Sequence, residues 1–270
     1  MGHTLLGTLP RTRSWQEVVA LIEHGAGAAQ VANAAIRATE KGLRKIGKDV
    51  GAVESVWLLT QLPFAARAED FEAALSDCGV HVPANPGLLD LAAGFTNAID
   101  TRLSNNRGRT DLGEMAQMAA VETLVGLLGE RTDNLFAVTP AKVRHELAKL
   151  YTVKQFGMFA TAFFARFIYK TLDYYLSRVL PLHVGEGRRF TTLERLAQFT
   201  DALELHCREA ARIVQIFTGE WLSATMWEEG RIAREDARNL AHGAVSKLIK
   251  ELKMGAGLQE TKEGAGRHDG

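Results

Sequence analysis

Phe156-Gly157-Met158-Phe159-Ala160-Thr161-Ala162-Phe163-Phe164-Ala165-Arg166-Phe167-Ile168-Tyr169 carries five of the chain's twelve phenylalanines in fourteen positions. It holds one charge, Arg166, and is followed at once by Lys170 and Asp173. A membrane-spanning helix needs roughly 20 apolar residues, so this run reads as a core helix with no membrane span. Pro181 is the first residue downstream that a helix cannot absorb easily, which predicts one long helix over Val153–Val179.

Helix signals continue on both sides of it. Upstream, Thr139-Pro140 pairs a capping hydroxyl with a proline at the first helical position and opens a helix to Leu150. Asp111–Leu128 sets Leu112, Met115, Ala119 and Leu124 on one side. Asn85-Pro86 opens a helix to about Leu103, Ala68–Cys78 precedes it and ends at Gly79, and Val53–Leu62 stops before Pro63. Ala26–Ala38 is rich in small residues that favour helix and close packing, and Ser14 with Glu17 fits a capping box. Downstream, Thr191 with Glu194 is a second capping-box match opening a helix to about Phe217, and Arg231–Lys253 is amphipathic. No alternating run of useful length and no hairpin signal appears. The expected fold is all-α, a multi-helix array packed around the Phe-rich helix. Ser104–Arg109 is the most loop-like internal stretch. It divides an N-terminal helical part, 1–104, from a C-terminal core, 110–253, which together can form one domain. Residues 255–270 are glycine-rich and polar, the composition of a disordered tail.

Composition narrows the function. Hydrophobic residues make up 46% and charged residues 24%, as in an ordinary folded protein. Lys plus Arg and Asp plus Glu both total 32, so the net charge is zero, whereas a dedicated nucleic-acid binder carries a basic excess. Zero net charge also weakens repulsion between copies and favours a protein partner or a homo-oligomer. Two cysteines, Cys78 and Cys207, exclude a disulfide scaffold, and the start Met1-Gly2-His3-Thr4-Leu5-Leu6 lacks the charges of a secretion signal. The expected location is the cytoplasm.

The motifs of common catalytic sites are missing: no phosphate-cradling glycine loop, no His-Glu-x-x-His, no Glu-x-x-His pair and no Gly-x-Ser-x-Gly. Cys78 with His81 and His206 with Cys207 are the nearest approach to a metal set. Neighbouring residues on a helix diverge by about 100°, so His206 and Cys207 cannot readily share one ion. No metal and no cofactor is expected.

Three groups of residues remain as candidates. Arg178-Val179-Leu180-Pro181-Leu182-His183 places an arginine and a histidine four residues apart at a helix end. This resembles the Arg-x4-6-His element of the HEPN ribonucleases, which implies a metal-independent ribonuclease of a toxin or antiviral defence system, with Arg178 and His183 catalytic across a dimer. The element departs from that pattern at Val179, where a small polar residue is usual, and at Pro181. The structural alternative is that Arg178 closes the helix C-terminus, where a cation suits the macrodipole. Second, Arg166, Lys170 and Asp173 share one face of the Phe-rich helix with Ser177. They form either a solvent face or a buried network or ligand site, with Asp111 and Glu114 as partners. Third, Arg37, Lys41, Arg44, Lys45 and Lys48 make a cationic helix face for an anion or partner, nucleic acid included, without the aromatic residues that stack bases. Trp221 and Trp227 are the partner anchors if exposed. The reading that best joins these features is a non-enzymatic α-helical interaction or structural subunit, an adaptor, of a larger bacterial-type assembly.

Overall fold

The computed structural model describes residues 10–106, 108–129, 139–229 and 232–265, with side chains at 128–129, 226–229 and 255–265 left aside. The described residues are all-α, without a strand. The helices are α1 Arg13–Glu23, α2 Ala28–Leu43, α3 Val50–Arg67, α4 Phe71–Asp77, α5 Leu88–Ser104, α6 Asp111–Gly129, α7 Pro140–Lys149, α8 Val153–Leu176, α9 Leu193–Ala210, α10 Arg212–Glu229 and α11 Arg234–Ala265. Short 3-10 turns, Ile46–Lys48 and Leu180–His183, join α2 to α3 and follow α8.

Caps explain most boundaries. Asp49, Asp70, Thr139, Thr152 and Thr192 each accept a backbone N–H from the first turn of the helix they precede. Such a bond satisfies one of the donors that a helix start leaves open. Several sequence expectations shift accordingly. The cap of α1 is Thr12, whose carbonyl takes the first bonds, so Ser14 lies inside the helix and its box does not form. Thr192 replaces Thr191 as the cap of α9. Asn85 takes a positive φ of 53° and α5 begins after Gly87, whose N–H is held by Asp90. The helix expected to run to Phe217 is two helices: Val214 N–H reaches only to the Ala211 carbonyl, a tight turn that lets α9 and α10 bend around α8. Helix α11 does not stop at Lys253 but continues to Ala265, and 266–270 lie outside the described residues.

Pro63 sits inside α3 rather than ending it. A proline removes one helical hydrogen bond and crowds the preceding turn. Here Leu62, Pro63, Ala65 and Ala66 are buried, so apolar contacts hold the helix together across the defect. Helix α3 packs against α4, α5, α6, α7 and α11, while α8 packs against α2, α6, α9 and α10. Phe156, Phe159, Phe163, Phe164 and Phe167 are buried along α8. One continuous cluster of buried side chains joins helices on both sides of the Ser104–Arg109 loop.

Two arginines complete helix ends far away in sequence. Arg144 of α7 donates to the carbonyls of Ala66, Ala68 and Glu69 at the end of α3. Arg189 donates to Leu21, Ile22 and Ala26 at the end of α1 and lies over Phe190 and Phe199. Burial lowers the Arg189 pKa. Among the described residues no helix is long and apolar enough to cross a membrane.

Candidate anion-binding surface

The cationic face read from the sequence is not one helix face. Helix α2 ends at Leu43, and beyond it Gly47 passes close to α11: a Cβ on it would lie 3.2 Å from Arg238 Cγ. Arg37 and Lys41 stand on α2, Arg44 and Lys45 on the turn, and Lys48 closes the 3-10 turn. Arg44 and Lys45 keep right-handed dihedrals, so the spacing of the cations survives. Two of the five are neutralised. Arg37 meets Glu17 at 3.0 Å and Arg44 meets Glu40 at 2.8 Å. Lys253 also reaches Glu40, and these bonds from Lys253 and Arg44 hold that carboxyl below its ordinary pKa. Lys41, Lys45 and Lys48 are exposed and make no ion pair with a described residue.

Lys48 continues this surface into a recess of about 380 Å3 that also takes Arg102 from α5 and Arg234 and Arg238 from α11. At its floor is Glu54, whose side chain is only 4% exposed. Glu54 lies on the apolar helix α3, and a carboxylate buried there requires a partner. Arg234 supplies it with two parallel bonds, Nε to Oε2 at 2.7 Å and Nη2 to Oε1 at 2.8 Å. Arg102 adds a looser contact at 3.6 Å. The guanidinium of Arg234 also lies 3.6 Å from the ring centroid of Trp57, and Trp57 donates to the Ile232 carbonyl at the entrance to α11. Its bonds to Glu54 raise the Arg234 pKa. One carboxylate thus holds two guanidiniums and leaves their excess charge facing the recess. Asp49, also on the recess, remains a carboxylate while accepting from the Ala52 N–H and the Thr110 hydroxyl, and Glu235 pairs with Arg238, so four cations face three carboxylates with one positive charge in excess.

The other sequence candidates are dispersed. Arg178 lays its guanidinium over Tyr174, 4.1 Å from the ring centroid, and its Nε is buried without a hydrogen-bond partner. No hydrogen bond joins it to His183, which ends the Leu180–His183 turn. Lys170 pairs with Glu122 at 2.6 Å rather than with Asp111 or Glu114. Asp111 instead accepts from the Tyr174 hydroxyl at 2.9 Å, and Glu114 is exposed. Asp173 is half-buried, and burial raises its pKa against the opposing charge of Lys170. Among the described residues Arg166 bonds to its own helix alone, at the Ala162 carbonyl. Trp221 is half-buried against the core, while Trp227 lies outside the described side chains.

His81 meets the Ser76 hydroxyl at 3.1 Å, and the buried Cys207 thiol is pushed up to about 12. Among the described residues no three His, Cys, Asp or Glu side chains gather as a metal site would require.

Sequence reasoning missed Glu54, Arg102, Arg234 and Arg238. The available signal was Glu54 itself, a lone carboxylate in Val50–Leu62. No protein-family model matches the chain, and no curated protein or solved structure matches it either.

Proposed function

We propose that this chain is a non-enzymatic binding subunit that docks an acidic segment of a protein partner on the surface formed by Lys41, Lys45, Lys48 and the arginine recess. The observation that carries this reading is that Lys48, which makes no ion pair with a described residue, lines the recess with Arg102 and Arg234, which share one carboxylate, while Lys41 and Lys45 precede Lys48 at helical spacing. Guanidinium groups already fixed by Glu54 and Trp57 lose little freedom on meeting a carboxylate, which favours binding. Trp57 is 8% exposed and covered by Arg234, so it offers no face on which a nucleic-acid base would stack, and this favours carboxylates over nucleic acid.

The test is binding of a labelled polyglutamate peptide and of a single-stranded oligonucleotide, compared at low and high salt. The peptide should bind, weaken with salt, and lose about tenfold or more in affinity when Lys41, Lys45 and Lys48 are all changed to Glu. Peptide binding that survives this triple change would sink the proposal. Tighter binding of the oligonucleotide would reassign the surface to nucleic acid.

A further inference from the structure

A second cleft, of about 390 Å3, opens between α6, α8 and α9. It lies within the size range of small-ligand pockets, which combine apolar walls with a few polar groups. Its walls include Leu127, Met158, Phe159, Ala162 and Ala165. Its polar residues are Thr123, Gln155, Glu204, Arg208 and Arg166, the last being the one charge inside the Phe-rich stretch.

Arg166 is half-buried, and among the described residues its one hydrogen bond is a 3.3 Å contact from Nη1 to the Ala162 carbonyl one turn back. No described carboxylate pairs with it. The nearby acid of the cleft, Glu204, is already engaged by Arg208 at 2.9 Å. Position 126 makes room for the guanidinium: a Cβ on Gly126 would lie 2.9 Å from Arg166 Nη2. A half-buried cation without a counter-ion is costly, and its planar fork matches the two oxygens of a carboxylate.

We propose that this cleft binds a small organic carboxylate with an apolar body, its head on Arg166 and its body along Met158, Phe159 and Ala162. The site is independent of the acidic-partner surface. No covalent step is involved.

The experiment is calorimetric titration of the full chain with octanoate, 1-octanol and octyl phosphate, up to about 10 mM. Octanoate should bind about tenfold more tightly than octanol. Arg166→Met should abolish that preference and leave octanol binding unchanged. Gly126→Leu fills the cleft and should lose both ligands, with the circular dichroism of each variant recorded as a check on folding. If Arg166→Met fails to fold, Gly126→Leu decides. No octanoate binding by the wild type, equal affinity for octanoate and octanol, or retained binding by folded Gly126→Leu would each overturn the proposal. Tighter binding of octyl phosphate would overturn the carboxylate assignment.

Discussion

Replacing Arg234 by Ala should lower stability by about 3 kcal/mol, because it strands a carboxylate in an apolar helix. The magnitude follows from the surroundings of Glu54. Its side chain is 4% exposed and takes two bonds from Arg234. Removing one partner of a buried pair costs roughly 3–5 kcal/mol. Arg102, at 3.6 Å, remains to offset part of that loss, and Arg234 is itself 42% exposed, which places the value at the lower end. At roughly 2–4 °C per kcal/mol for a chain near this size, Tm should fall by roughly 6–12 °C. The assay is urea unfolding followed by circular dichroism, with Glu54→Met and the double variant Glu54→Met/Arg234→Met alongside. Removing both charges should cost less than removing Arg234 alone, since no orphan carboxylate is left. An Arg234→Ala loss below about 1 kcal/mol, or a double variant no more stable than Arg234→Ala, would refute this account of the recess.

Arg144→Ala and Arg189→Ala should each cost about 1.5–3 kcal/mol by uncovering the last carbonyls of α3 and α1, with faster amide exchange at those two helix ends as the specific readout. Gly243→Ala should destabilise by about 1–3 kcal/mol in urea unfolding, because the new methyl meets the Phe217 ring where α10 crosses α11. Asp173→Asn should raise Tm at pH 7. The folded pKa of Asp173 is above its ordinary value, so its contribution is most favourable below the ordinary carboxylate range and is lost as pH rises through the raised folded pKa. The gain should therefore shrink as the medium is acidified. Arg178→Ala and His183→Ala, assayed for RNA cleavage with a chelator present, test the ribonuclease resemblance: parallel loss of a wild-type activity in both folded variants would support it, and equal cleavage would end it.

The fold was legible where a local rule and the burial pattern agreed. Thr139-Pro140 opens α7 at its observed position, and α8 begins at Val153 as expected but ends at Leu176, short of the expected Val179. It was not legible where distant contacts overrode a local signal. Pro63 would end an isolated helix, yet packing on α5, α6 and α11 carries α3 past it. The break at Ala211 carries no glycine or proline to announce it. The candidate surface was half legible. Lys41, Lys45 and Lys48 lie close in sequence, but Arg234 reaches Glu54 across 180 positions, and nothing near Arg234 distinguishes it from any other surface arginine. Charge pairing at that distance is a property of the assembled core and has no local spacing.

The arginine caps also set an order of events during synthesis. The ends of α3 and α1 are closed by residues made 78 and 167 positions later. Asn33 of α2 donates to the carbonyls of Leu252 and Lys253, 219 and 220 positions away. A nascent chain therefore carries the ends of α3 and α1 without these caps until Arg144 and Arg189 have emerged, and α2 without its cover until α11 has left the ribosome. Contacts of such long range slow folding and lengthen the exposure of unfinished surface. Truncation of α11 should consequently uncover α2 and α3, far from it in sequence, as well as its neighbour α10.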